Sequence, residues 1–165
     1  MEDVCMKTLI IAAEQNLDDL VALRVEMQIE DWTNTLNEDF SHYAEPFAHI
    51  TRKHIQAKLN RSLYFALMYL NGEPIAMCGI EELSELPQIT VCTECKGRHG
   101  CVVSVYTKPQ HRGKGYQQEL IQYLLDFAKK EHFHNITLTT NTPDAMHIYE
   151  KMGFQWISNK YFLTL

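Results

Sequence analysis

A chain of 165 residues has room for one domain with a sizeable core, and its 45% apolar and 22% charged residues are ordinary for a soluble globular protein. The net charge of −6 argues against nucleic acid or an anionic membrane as principal partner and suits small cationic molecules better. The start, MEDVCMK, lacks the basic region of a secretory signal, and the longest apolar run, Tyr64 to Leu70, is far short of a membrane span, so a cytoplasmic protein with reduced cysteines is expected.

No internal repeat or linker-like run interrupts residues 1–165, which read as a single domain. Lys7 to Ala13 is a short apolar strand. Asn16 then reads as an N-cap, with Asp18 and Asp19 in the first turn and Leu17, Leu20, Val21, Leu23 and Met27 at helical spacing. A second helical region runs from about Asp39 to Asn60, with a break predicted at Glu45-Pro46. Leu63 to Leu70 and Ile75 to Leu83 form a hairpin through Asn71-Gly72-Glu73-Pro74. After an irregular stretch to Gly100, Cys101 to Thr107 is a strand, and Gly113 to about Lys130 is a helix with Tyr116, Leu120, Leu124 and Phe127 on one stripe. Ile136 to Thr140 is a further strand. Thr142-Pro143-Asp144 opens a short helix that Gly153 closes, and strands near Phe154 to Ile157 and Tyr161 to Leu165 follow. This order is that of a mixed α+β sheet rather than a regular doubly wound one.

Between strand and helix lies Arg112-Gly113-Lys114-Gly115. A helix N-terminus offers unpaired N–H groups and partial positive charge, glycines let an anion approach the main chain, and the two cations add formal charge. A P-loop is excluded because no hydroxyl follows in register, and the dinucleotide fingerprint lacks its third glycine, where Gln118 stands. Alone, the loop reads equally well as a basic turn ahead of a helix.

In combination with the preceding strand VVSVYTKP and the later Ile148-Tyr149-Glu150-Lys151-Met152-Gly153-Phe154, the chain resembles the GNAT superfamily of acetyl-CoA-dependent N-acetyltransferases. The resemblance implies a largely antiparallel sheet of six to seven strands, about four flanking helices and splayed central strands. It implies acetyl-CoA as cosubstrate, its pyrophosphate wrapped by Arg112, Gly113, Lys114, Gly115, Tyr116 and Gln117, with Gln118 next in the helix. Gln117 stands where the family has a small residue, and can either crowd the pyrophosphate or swing out and donate to it. Val105, Tyr106 and Thr107 would expose main-chain groups to the pantetheine arm, with the Val105 N–H as oxyanion donor. The family's usual cofactor-contacting asparagine falls at Thr142, preceded by Asn141, so that contact is shifted between the pair or lost.

Acetyl transfer also needs a neutral amine and a proton for the departing thiolate. Tyr149, in its Tyr-Glu-Lys-x-Gly-Phe context, is expected as general acid, although at helical spacing with Ala145, Ile148 and Met152 it also reads as a packing residue. Glu81 is the candidate base; its neighbour Glu82 points to the opposite face, and ordered water is an equal alternative. Val25 to Thr51 contains no lysine or arginine but six carboxylates with interleaved aromatics, so Glu30, Trp32 and Tyr43 are candidate contacts for a small cationic amine. A solvated helix face is the bland reading of the same stretch. Cys92, Cys95, His99 and Cys101 have zinc-ligand character, but cysteines of a hairpin are the preferred reading and zinc is not expected. The rivals are a non-catalytic CoA-binding or sensing module on the same fold and a metal-stapled interaction domain. The apolar C-terminal strand could join a homodimer.

Overall fold

The computed structural model describes residues 6–84, 98–140 and 143–156. Chain order is β1 (Lys7–Ile11), α1 (Leu17–Leu36), α2 (Ala44–Lys58), β2 (Leu63–Leu70), β3 (Glu73–Glu82), β4 (Arg98–Thr107), α3 (Tyr116–Lys130), β5 (Phe133–Thr137) and α4 (Pro143–Lys151). The sheet has the order β1-β2-β3-β4-β5, antiparallel except for the parallel β4–β5 pair. Five strands therefore stand among the described residues where six to seven were expected. Of the two strands predicted after α4, residues 157–165 lie outside the described ones, and Phe154 to Trp156 is not strand.

The sheet is covered on both faces. Leu17, Leu20, Val21 and Leu23 of α1 and Ile55 of α2 pack with Leu63, Phe65, Leu67, Met77 and Tyr106 on one face. Leu120, Ile121, Leu124 and Ala128 of α3 pack with Ala66, Met68, Ala76, Cys78, Ile80 and Val102 on the other, joined by Tyr149 of α4 and by Met152 just after it. Because β2 and β3 are buried on both faces, they read as continuous apolar runs rather than alternating ones.

Several boundaries depart from the sequence reading for local reasons. Pro46 does not break a helix: it lies in the first turn of α2, where its missing N–H is not needed, after a 3-10 turn at Ser41–Tyr43. Asn16 makes no side-chain cap to α1; its Oδ1 instead accepts the Ala13 N–H at 3.0 Å. The hairpin turn is the two-residue Asn71-Gly72, both at positive φ (51° and 83°), with Glu73 and Pro74 already in the strand. Finally, α3 starts at Tyr116, because Gly113 (φ 74°) and Gly115 (φ 77°) lie in the left-handed region that no α-helix uses.

At the far end of the sheet β4 and β5 begin earlier than predicted, at Arg98 and Phe133. Arg98 explains this. Its guanidinium bonds Glu82 at 2.7 and 3.1 Å, the Tyr64 hydroxyl at 2.6 Å and the Glu131 carbonyl at 3.1 Å, and lies 4.2 Å from the centre of the Phe133 ring. One side chain thus clamps β2, β3, β4, the end of α3 and β5.

Candidate active site

The centre of the site is an irregularity in β4. Tyr106 pairs with Met77 and Val103 with Gly79, so Ser104 and Val105 together oppose Cys78, and Ser104 has φ 54°. One extra residue reverses the facing of everything beyond it. Val102 and Val105 pack toward α3, whereas Val103 and Tyr106 pack toward α1. Without the bulge, Tyr106 would fall on the α3 face. The β4–β5 ladder, meanwhile, stops at Cys101–Thr137, so Val102 to Thr107 continue past the last β5 pairing. The pairing of β4 with β5 ends at this point, where the resemblance leads one to expect a splay.

Beyond the splay the chain forms an anion cradle. At both Gly113 and Gly115 an added Cβ would meet nothing within 4 Å, so the turn is open above its main chain. No main-chain carbonyl among the described residues accepts the N–H groups of Gly113 to Gln118; Glu119 is the first to donate, to Gly115. Lys114 and Gln118 are exposed and Tyr116 is half-buried. Unpaired N–H groups, the positive end of the α3 dipole and the Lys114 ammonium all favour a phosphate-like anion here.

The Arg112 side chain is bonded within the protein. Its Nε donates to the Thr107 carbonyl at 2.8 Å, its two terminal nitrogens take the Glu30 carboxylate at 2.6 and 2.8 Å, and the guanidinium stacks 5.6 Å from the centre of the Tyr106 ring. The Tyr106 hydroxyl also donates to Glu30, at 3.1 Å. Arg112 holds the Glu30 carboxyl below its ordinary range against the opposing effect of burial, and Glu30 raises Arg112 in turn. Burial, then the Glu30 charge, pushes the Tyr106 phenol up. Gln117 turns inward: its Oε1 accepts the Thr107 hydroxyl at 2.7 Å and its Nε2 reaches the Met77 carbonyl at 3.4 Å. The side chain that departs from the family's small residue is therefore spent on fixing the first turn of α3 to the sheet.

Across the splay, Tyr149 is half-buried among the α3-side residues, and among the described residues its hydroxyl makes no hydrogen bond. Its orientation follows from the helix end. Gly153, at φ 93°, lets Gly153 N–H bond the Glu150 carbonyl and Phe154 N–H bond the Tyr149 carbonyl, both at 3.0 Å, a Schellman closure. That closure brings the Phe154 ring edge-on to Tyr149, 5.9 Å between centres. Burial, with Cys78 nearby, raises the Tyr149 phenol above its ordinary value, which keeps it protonated.

Glu81 lies away from the splay. It pairs with Cys101, the last β4 residue on the β5 ladder, and its carboxylate is bonded to Lys58 of α2 at 2.5 Å. Glu82, on the opposite face, is held by Arg98. A groove of about 520 Å³ lies beside Tyr106, lined among others by Glu26, Ile29, Glu30, Thr33 and Asp39. Of the expected acceptor contacts only Glu30 lines it. Trp32 and Tyr43, each half-exposed, gather with Phe40 and His42 into an aromatic cluster over the α1–α2 connection. His99 is hydrogen-bonded through Nδ1 to Asn135 at 2.7 Å, and Cys101 lies within β4. Cys92, Cys95, Asn141 and Thr142 lie outside the described residues.

Sequence reasoning missed the Glu30–Arg112 pair and the inward role of Gln117. The residues of the pair are 82 positions apart, and only the bulge at Ser104 puts Tyr106 on the face where they meet.

Residues 25–154 match the sequence model of the acetyltransferase (GNAT) family. An uncharacterized N-acetyltransferase of Bacillus subtilis, YsnE, is 25% identical over 125 residues, 65% of this chain and 82% of that protein. N-alpha-acetyltransferase 30 of Saccharomyces cerevisiae is 29% identical over 123 residues, 67% of this chain and 69% of the relative. Among solved structures, a predicted acetyltransferase from Clostridium acetobutylicum, with acetyl-CoA, superposes with a TM-score of 0.74 at 23% identity over 96% of each chain. An aminoglycoside N-acetyltransferase in complex with CoA superposes with a TM-score of 0.70 at 12% identity, over 100% of this chain and 98% of that one.

Proposed function

The chain belongs to the GNAT family of acetyltransferases, and from that premise we propose that it transfers the acetyl group of acetyl-CoA to a primary amine of a small, cationic acceptor. The cradle at Gly113 to Gln118 carries this reading. Its main chain is open above both glycines, and among the described residues no main-chain carbonyl accepts its N–H groups, which suits a diphosphate. Lys114 supplies the formal charge in place of Arg112, whose guanidinium is taken up by Glu30 and Thr107.

When bound, acetyl-CoA supplies a thioester whose carbonyl carbon takes the amine and whose sulfur leaves. Val105, at the β4 bulge, offers a main-chain N–H to the carbonyl oxygen as negative charge develops there. Tyr149, protonated and without a protein partner among the described residues, gives its proton to the sulfur as the carbon–sulfur bond breaks. Glu26, Glu30 and Asp39 draw a cationic acceptor into the groove beside Tyr106. Glu81 is held by Lys58 where β4 and β5 are still paired, so the surplus amine proton leaves through water.

The test is calorimetric titration of acetyl-CoA into the wild type and Lys114→Glu, followed by an amine screen that reads released CoA thiol. Micromolar binding to the wild type, lost in the charge-reversed protein, supports the cradle; a folded wild type that does not bind would end this reading. Thiol release with neutral amines but none with cationic ones would remove the acceptor class while leaving the cofactor site intact.

A further inference from the structure

The Arg112 guanidinium faces the acceptor helix while its main chain leads directly into the cofactor cradle. The bonded path runs from the Glu30 carboxylate, in the acceptor groove, through Arg112 to the Thr107 carbonyl, then from the Thr107 hydroxyl to Gln117 in the first turn of α3. Each link is 2.6–2.8 Å, and the Tyr106 hydroxyl braces the Glu30 end at 3.1 Å. We propose that Glu30 is a positioning residue for the cofactor: it holds Arg112, and through Arg112 the Gly113–Gly115 turn, in the conformation that receives the pyrophosphate. This inference rests on the reading of that turn as the cofactor site.

Two physical points give it content. The Arg112 side chain is 46% exposed and that of Glu30 26%, so the pair adds little to global stability, and its effect is on local order instead. The two glycines have wide backbone freedom and no side chains to pack, so their conformation must be imposed from their flanks. Gln117 fixes the C-terminal flank to Thr107 and Met77, and Arg112 fixes the N-terminal one. Since a groove carboxylate is one end of the path, occupation of the acceptor groove and of the cradle become coupled, and that coupling acts equally in both directions.

The sign of the effect separates this role from simple electrostatics. Glu30 is a negative charge close to the binding place of a polyanion, and by Coulomb's law alone its removal should tighten binding. A positioning role predicts the reverse. Acetyl-CoA is titrated into the wild type, Glu30→Gln, Arg112→Gln, the double variant and Glu30→Asp, with melting temperatures measured alongside. Glu30→Gln is expected to bind about tenfold more weakly with a nearly unchanged melting temperature. The double variant should bind no more weakly than Arg112→Gln alone, because both substitutions cut one path. Glu30→Asp, which keeps two acceptor oxygens, should lie within about threefold of the wild type. Tyr106→Phe, which removes one brace and no charge, serves if Glu30→Gln does not fold, with a smaller loss in the same direction expected. Equal or tighter binding by Glu30→Gln, effects that multiply in the double variant, or an Asp variant as weak as the Gln variant would each overturn the proposal while wild-type binding stands. A wild type that does not bind acetyl-CoA removes both this proposal and the cofactor site.

Discussion

The proposed cofactor side and the proposed acceptor side of the site are built from different materials. The cofactor side is main chain: two left-handed glycines, the uncapped start of α3 and the bulge of β4. The acceptor side is side chain, with carboxylates of α1, the guanidinium of Arg112 and the phenol of Tyr106 brought together across the fold. Main-chain sites depend on local conformation and are written in short motifs. Side-chain sites depend on which faces meet, and a motif records nothing of that. The groove is lined mainly by α1, closed by the α1–α2 connection and by Tyr106 of β4.

The largest expected effect that sharpens this contrast is at Tyr149. Tyr149→Phe keeps the ring that Phe154 holds and removes only the proton, so turnover should fall by about 100-fold with acetyl-CoA binding unchanged. Steady-state and calorimetric measurements on the same preparation check this, and equal turnover would remove the general acid. Because burial raises this phenol above its ordinary value, wild-type turnover should decline only at a pH higher than that at which an unperturbed tyrosine ionises. By linkage, the contribution of the neutral buried phenol to stability is complete below the unfolded value and is lost over that same alkaline range.

Arg98→Ala probes the opposite end of the sheet, where one side chain ties together strands that are also paired through their main chains. It should cost about 2 kcal/mol in chemical denaturation, with acetyl-CoA affinity of the folded protein unaltered. Weakened affinity would show that the two ends of β4 are not independent. Gly153→Ala should cost about 1 kcal/mol, since φ 93° disfavours any side chain, and turnover should fall more than affinity as Tyr149 loses its Phe154 support. The smallest effect is on the stability of Glu30→Gln. At neutral pH it should lose less than about 1 kcal/mol, because both partners are partly exposed. Arg112 lowers the Glu30 carboxyl below 4.5, so this difference is present above that value and vanishes as pH falls through the lowered one, which acid melting curves would record.

Most of the fold was legible because its elements announce themselves locally. The apolar runs of β2 and β3, the stripe of α3 and the glycine closing α4 all follow from residues within a few positions of one another. The misread boundaries are those set at long range or by a single backbone angle. Arg98 extends β4 because Glu82, Tyr64 and Phe133 surround it, and none of these is its sequence neighbour. Glu81 looked suitable as a base from its strand position alone, yet Lys58 of α2 holds it at the closed end of the sheet. Trp32 and Tyr43 lie in the acidic, aromatic stretch that suggested an acceptor site, but they cluster outside the groove that Glu30 enters.

The order of elements through α4, the glycine-rich turn ahead of α3 and the Tyr149 helix follow from the amino-acid sequence alone, because glycine conformation, helix ends and apolar periodicity are encoded within a few residues. The partnership of Glu30 and Arg112 follows only from how distant parts of the chain pack. One extra residue at Ser104 turns Tyr106 toward α1, and there Arg112 meets Glu30. A one-residue shift in a pleated strand exchanges its faces, and no local pattern in this chain announced it.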